Sequence, residues 1–160
     1  SHASRWMNKY LSNQAKVETE AVKEVNCIGN GSGILITAVS ETGCILGASE
    51  LGEKNKDAEK IAESAASELI ANLKQGGAVD EYLQDQLIIL AALAKGTSRL
   101  KCGPLTGHTE TSLHFAQLMT GAKITVSKCP EELKESSTEN TYLIEIEGIG
   151  WENPFLKEDS

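Results

Sequence analysis

His108 is the residue of this chain best placed to do phosphate chemistry. It follows Gly103-Pro104-Leu105-Thr106-Gly107, a loop composition, and directly precedes a segment that Thr109 can cap as a helix. At such a place backbone N–H groups and the helix dipole favour an anion. An imidazole there can attack a phosphorus centre, and the helix terminus would stabilise the phosphate it gains. Pattern alone favours the plainer reading, a surface histidine at a helix start. His114 lies on roughly the opposite helix face, next to Phe115, and reads as a packing or surface residue. Two histidines without a carboxylate array make no metal site, and no metal ligand is assigned.

A second constellation is Asp80-Glu81-Tyr82-Leu83-Gln84-Asp85-Gln86. On a helix, Tyr82, Asp85 and Gln86 share a face, while Leu83, Leu87, Leu90, Ala91 and Ala94 form the opposing apolar side. A ring, a carboxylate and an amide near a helix N-terminus suit a nucleotide: one face to stack on, donors and acceptors for base or ribose edges. The competing reading is a solvated polar turn opening a buried helix. Glu145 and Glu147 point the same way along one strand and could pair for acid–base work. A charged outer strand face is the more frequent reason for that pattern. The glycines from Gly29 to Gly33 precede a strand rather than a helix, so they read as a turn and not a phosphate loop.

Those residues need elements to hold them. A helix is expected from Ser4 to Leu11, an irregular strand near Lys16–Val25, and a hairpin of Ile34–Val39 and Cys44–Ala48 with Gly43 at positive φ in the connection. Ala58, Ile61, Ala62, Ala65, Ala66, Leu69, Ile70 and Leu73 repeat with helical period, with Asp57 as N-cap and Gly76-Gly77 as the stop. After Gly77 come a helix (Asp80–Ala94), a strand (Thr97–Cys102), a helix (Thr109–Thr120) and two strands (Lys123–Lys128, Thr141–Glu147). The stretch Cys129–Asn140 reads as a solvated loop or a partly disordered insertion, the tail with Trp151 and Phe155 as folding back onto the body, and the last residues as mobile. The expected fold is α/β (α+β): two-layer sandwiches with helices on one face of mixed β-sheets, divided into residues 1–76 and 77–160.

The bulk properties exclude several classes. The chain has 160 residues, 40% hydrophobic and 24% charged, with no apolar run long enough to cross a bilayer, so no membrane partner is expected. Its start has neither the basic nor the apolar region of a signal peptide. The net charge of -8 argues against a sequence-nonspecific nucleic-acid coat, which needs Lys and Arg, but leaves room for binding one RNA end. Cys27, Cys44, Cys102 and Cys129 have neither C-x-x-C nor zinc-finger spacing and read as reduced cysteines of an intracellular protein. Asn30-Gly31-Ser32, formally a glycosylation sequon, reads as a turn.

Two elements together carry a resemblance. Gly76-Gly77-Ala78-Val79-Asp80-Glu81-Tyr82-Leu83-Gln84-Asp85-Gln86-Leu87 and Gly103-Pro104-Leu105-Thr106-Gly107-His108-Thr109-Glu110-Thr111 closely resemble the C-terminal region of the RNA 3'-terminal phosphate cyclases. The likeness extends upstream through Gly31-Ser32-Gly33-Ile34, Thr42-Gly43-Cys44 and Leu51-Gly52-Glu53. Downstream it takes in Thr141-Tyr142-Leu143-Ile144-Glu145 and Gly148-Ile149-Gly150, with a eukaryotic or archaeal flavour.

The resemblance implies that His108 becomes covalently adenylylated and that Tyr82, Leu83, Gln84, Asp85 and Gln86 contribute to an ATP site. The implied sequence has three steps: attack of His108 on the α-phosphorus of ATP with release of pyrophosphate, transfer of AMP to an RNA 3'-phosphate, and closure by the vicinal 2'-OH to a 2',3'-cyclic phosphate with release of AMP. A divalent metal, magnesium, would neutralise the triphosphate. The same likeness implies an insert-type domain in residues 1–76, lacking its first strand, and the last catalytic repeat in 77–160. It further implies a partner, the N-terminal portion of the same protein, without which this piece is expected to bind ATP poorly and to be inactive. A nuclear location is also implied. The alternative is a catalytically inactive cyclase-like factor in ribosomal RNA processing and ribosome assembly. Such paralogues lack the nucleophilic histidine, and the presence of His108 favours the enzyme.

Overall fold

The computed structural model describes residues 2–11, 16–133 and 140–155. They form two compact units, Ser1–Lys74 and Gln75–Ser160.

The first unit contains helix α1 (His2–Leu11), strands β1 (Gly33–Val39) and β2 (Ile45–Leu51), and helix α2 (Ala58–Gln75), whose last residue falls past the unit boundary. β1 and β2 pair antiparallel, with Val39 opposite Ile45, and the connection turns at Gly43, φ +84°. That conformation suits glycine because no Cβ collides with the backbone. α2 buries Ile61, Ala62, Ala65, Ala66 and Leu69, the stripe expected from its period. Asp57 caps it through Glu59 N–H (3.2 Å), and Gly76 at φ +68° ends it. Met7, Leu46, Ala48, Ala66 and Leu69 form this unit's core. The strand expected near Lys16–Val25 does not form. β1 pairs with β2 alone among the described residues, and the segment adds to neither free edge: Val22 and Val25 are largely exposed, so it buries no apolar face there.

The second unit holds helix α3 (Glu81–Leu93), β3 (Lys95–Cys102), helix α4 (Gly107–Thr120), β4 (Lys123–Lys128), a 3-10 turn (Glu131–Leu133) and β5 (Tyr142–Ile149). The sheet order is β3-β5-β4, with both ladders antiparallel. The sheets are thus antiparallel rather than mixed as expected; an isolated parallel bridge, Val79 to Cys102, lies outside the named strands. Ile144 and Ile146 on the central strand β5 are buried against Ile88, Ala92 and Ala116 of the two helices, so both helices cover one face. Alternate residues face the other way. There Arg99 pairs with Glu145 (2.7 Å) and Lys123 with Glu147 (3.1 Å). This is the α+β, helices-on-one-face architecture, and Glu145 and Glu147 are a charged outer strand face.

Three details differ from expectation. Leu83 and Leu90 of α3 are exposed, and Gln84, Ile88 and Ala92 are buried in their place. The cap of α4 is Thr106, not Thr109, so His108 lies inside the first turn. The tail is tied by its backbone, Gly150 N–H to Ala94 O (2.9 Å) and Trp151 N–H to Leu93 O (2.8 Å), while the Trp151 and Phe155 side chains stay in solvent. Residues 134–139 of the expected loop, and the last residues 156–160, lie outside the described residues.

Candidate active site

α3 begins at Asp80, whose extended backbone and side chain form an N-cap. Its carboxylate accepts from Tyr82 N–H (3.1 Å) and Leu83 N–H (2.7 Å), two donors that the helix itself cannot satisfy. Beyond the cap the polar run splits by direction. Tyr82 and Gln86 are exposed and Asp85 is half-buried. Gln86 lies along the helix surface, its Nε2 donating to Tyr82 O at 2.9 Å. Leu83 flanks them, partly exposed. Gln84 turns inward: it is 1% exposed, and its Nε2 donates to Pro104 O at 3.3 Å.

α4 begins in the same way, with Thr106 as its N-cap. The Thr106 Oγ1 accepts from Thr109 N–H (3.2 Å) and lies 3.0 Å from Thr109 Oγ1, and Thr109 itself is fully buried. Glu110 N–H returns to Thr106 O at 3.0 Å. Gly107 and His108 therefore occupy the first turn, where backbone N–H groups have no acceptor within the helix and concentrate its positive end. His108 is exposed there. An exposed imidazole beside outward-facing amides can attack a phosphorus centre and hold the phosphoryl group it gains.

The structure brings these two helix starts together, since α3 and α4 pack side by side and the Gln84–Pro104 bond links one to the loop opening the other. It keeps Glu145 and Glu147 apart, on the opposite face of the sheet. His114 stacks edge-on with Phe115, ring centroids 5.3 Å apart, in solvent. An open depression of about 330 Å³ runs along α3, lined by Leu87, Leu90, Ala91, Ala94, Leu100 and Ile144. Ser98 and Arg99 also line it, it holds no carboxylate, and Tyr82, Leu83, Gln84, Asp85, Gln86 and His108 are not among its lining residues. All four cysteines are free, and burial, then the neighbouring Cys129, pushes the Cys102 thiol up to about 11. Among the described residues no group of three or more His, Cys, Asp or Glu is gathered to hold a metal, and no helix is long and apolar enough to cross a membrane.

Comparison with known proteins supplies the context. Residues 1–74 match the family model of the RNA 3'-terminal phosphate cyclase (RTC) insert domain. The chain is 48% identical over 136 residues to a probable RNA 3'-terminal phosphate cyclase of Dictyostelium discoideum, covering 84% of this chain and 31% of that protein. It belongs to the RNA 3'-terminal phosphate cyclase family. The likeness crosses kingdoms. The Drosophila melanogaster cyclase is 34% identical over 145 residues (91% of this chain, 38% of its own), and that of Pyrobaculum neutrophilum 33% over 141 (88% and 38%). The chain spans about a third of the length of these curated cyclases.

Within this cyclase-family chain, sequence reasoning missed Asp80 and Thr106 as the caps that build both helix starts. The signal was present, since each is a capping residue type two or three positions before the amides it satisfies. It also missed that Gln84 points away from its neighbours, which the linear pattern does not reveal.

Proposed function

We propose that this chain is the C-terminal part of an ATP-dependent RNA 3'-terminal phosphate cyclase, and that His108 is its AMP-accepting nucleophile. The observation that carries the reading is the position of His108, exposed in the first turn of α4 and linked through Pro104 and Gln84 to the start of α3. An imidazole nitrogen of His108 attacks the α-phosphorus of ATP; the bond to the bridging oxygen breaks, and pyrophosphate leaves. The first-turn amides of α4 stabilise charge on the phosphoryl oxygens. Tyr82 offers a ring face, and Asp85 and Gln86 offer polar groups to the nucleotide, with Leu83 beside them. AMP then passes to an RNA 3'-phosphate. The vicinal 2'-OH attacks that phosphorus, AMP departs, and a 2',3'-cyclic phosphate remains.

A magnesium ion would neutralise the triphosphate. Among the described residues no group of three or more His, Cys, Asp or Glu is gathered that would hold it. The N-terminal portion of the same protein is the partner that completes the site, and the 160-residue chain alone is inactive. A nuclear location rests on the family resemblance alone, and imaging of the tagged full-length protein tests it. Retention of His108 speaks against the inactive ribosome-assembly alternative.

The test uses the complete cyclase polypeptide and ATP labelled at the α-phosphate. Acid-labile label on the wild type and none on His108→Ala is expected. Equal labelling of both would refute the assignment.

A further inference from the structure

Gln84 is a buried amide within the polar run at the start of α3, and its surroundings assign it a task different from its neighbours'. Burying a primary amide is unfavourable unless its groups are bonded. Gln84 is 1% exposed, and its Nε2–H donates to the carbonyl of Pro104 at 3.3 Å. Pro104 lies in the short loop between β3 and α4, four residues before His108.

That loop is held from a second side. A Cβ on Gly103 would stand 2.7 Å from Gln75 Oε1 and 3.0 Å from Gln75 Cβ, so the Gln75 side chain lies directly against it. The Gln75 carbonyl in turn accepts from Thr141 Oγ1 at 3.2 Å, anchoring it to the start of β5. From Thr106 onward α4 is a regular capped helix. The path from Gln84 to His108 thus runs through one hydrogen bond, a wedged loop and a rigid first turn.

We propose that Gln84 is a positioning residue: its amide braces the Pro104 loop so that the His108 imidazole faces the nucleotide held at the start of α3. The brace joins the element that offers Tyr82, Asp85 and Gln86 to the element that carries the nucleophile. It does so from within the core, without touching ATP. This rests on the reading of His108 as nucleophile. Its consequence is specific to attack geometry, because displacing a reacting atom by about 1 Å can cost about a hundredfold in rate while leaving binding intact.

The experiment is single-turnover adenylylation of the complete cyclase polypeptide across a range of ATP concentrations. Wild type is compared with Gln84→Met, which keeps length and removes the donor, and with Gln84→Asn, which keeps the amide one methylene short of Pro104. Each variant's fold is checked by thermal unfolding. The expected result is a saturating rate reduced about tenfold to a hundredfold in Gln84→Met and less in Gln84→Asn, with half-saturating ATP within about twofold of wild type. A wild-type rate in Gln84→Met overturns the proposal. So does a raised half-saturating ATP with an unchanged saturating rate, which would make Gln84 a ligand contact. If Gln84→Met does not fold, Gln84→Asn is judged by the same two outcomes. Failure of both to fold would make Gln84 a core residue only, and also overturns it. Absence of adenylylation in the wild type would instead sink the reading of His108, so the two failures are distinct.

Discussion

Replacing Thr106 with Ala should loosen the turn that carries His108, by an amount that can be worked from its contacts. Thr106 Oγ1 is the side-chain acceptor for Thr109 N–H and the hydrogen-bond partner of the Thr109 hydroxyl, at 3.2 and 3.0 Å. Losing an N-cap threonine costs about 1 kcal/mol. Thr109 is fully buried, so its hydroxyl would lose a partner it cannot replace with water, a further penalty of about 1 kcal/mol or more. The sum, about 2 kcal/mol, is large enough to shift the melting of a unit of this size by roughly 8–16 °C. The unit should be followed by hydrogen exchange of the α4 amides and by urea denaturation of the chain. Thr106→Ser keeps the oxygen and should recover most of the loss. In the double variant Thr106→Ala/Thr109→Val the hydroxyl is gone from both sides, so the penalties should be less than additive by about 1 kcal/mol. An additive cycle, or a Thr106→Ser variant as unstable as Thr106→Ala, would mean that the Thr106 oxygen does not hold this turn.

Three further outcomes follow from the same structure. Gly148→Ala should destabilise the second unit by about 1–3 kcal/mol in urea denaturation, because a Cβ there would overlap the carbonyl oxygens of Ala91 and Ala94, which cannot rotate away; a neutral result would mean that α3 sits further from β5 than described. The Cys102 thiol, ordinarily ionising near 9.0, holds its proton to about 11 when folded. Above pH 9 the unfolded chain therefore binds fewer protons than the folded one, and stability should fall as pH rises from about 9 towards 11. Cys102→Ala should flatten that decline in the urea midpoint, and an unchanged slope would contradict it. Glu145→Gln and Glu147→Gln should leave adenylylation of the complete polypeptide unchanged and shift stability by less than about 1 kcal/mol, since their pairs with Arg99 and Lys123 are solvent-exposed; a collapse in labelling would return these carboxylates to the chemistry.

How much was legible in the sequence depended on whether a local pattern had one reading. The stripe of α2 from Ile61 to Leu73, closed by Asp57 and Gly76, is unambiguous because small and large apolar residues recur with one period between two stop signals. Gly43 and the alternation in β5 are similar cases. α3 was harder. Leu83, Leu87, Ile88, Ile89 and Leu90 surround the helix with apolar residues, so periodicity cannot decide which face is buried. Tertiary packing chose the side bearing Gln84. Thr106 and Thr109 are both able to cap, and only the buried position of Thr109 separates them. Lys16–Val25 has β-forming residues, yet Val22 and Val25 stay exposed and the segment adds to neither free edge of the β1–β2 hairpin, an outcome no local window records. At the candidate site, the position of His108 at a helix start was readable from Thr106-Gly107-His108-Thr109, whereas its chemistry came from the resemblance. The inward turn of Gln84 was not readable, because it depends on the Pro104 carbonyl twenty residues away.

Whether His108 rather than another nucleophile takes AMP is decided by locating the adduct. The complete cyclase polypeptide should be incubated with ATP and magnesium, digested with trypsin at alkaline pH to spare the phosphoramidate, and the peptide running from Cys102 to Lys123 fragmented in a mass spectrometer. That peptide contains both His108 and His114. An AMP adduct confined to His108 and lost on mild acid treatment is expected. An adduct on His114, or on a peptide outside this stretch, would contradict the assignment of His108.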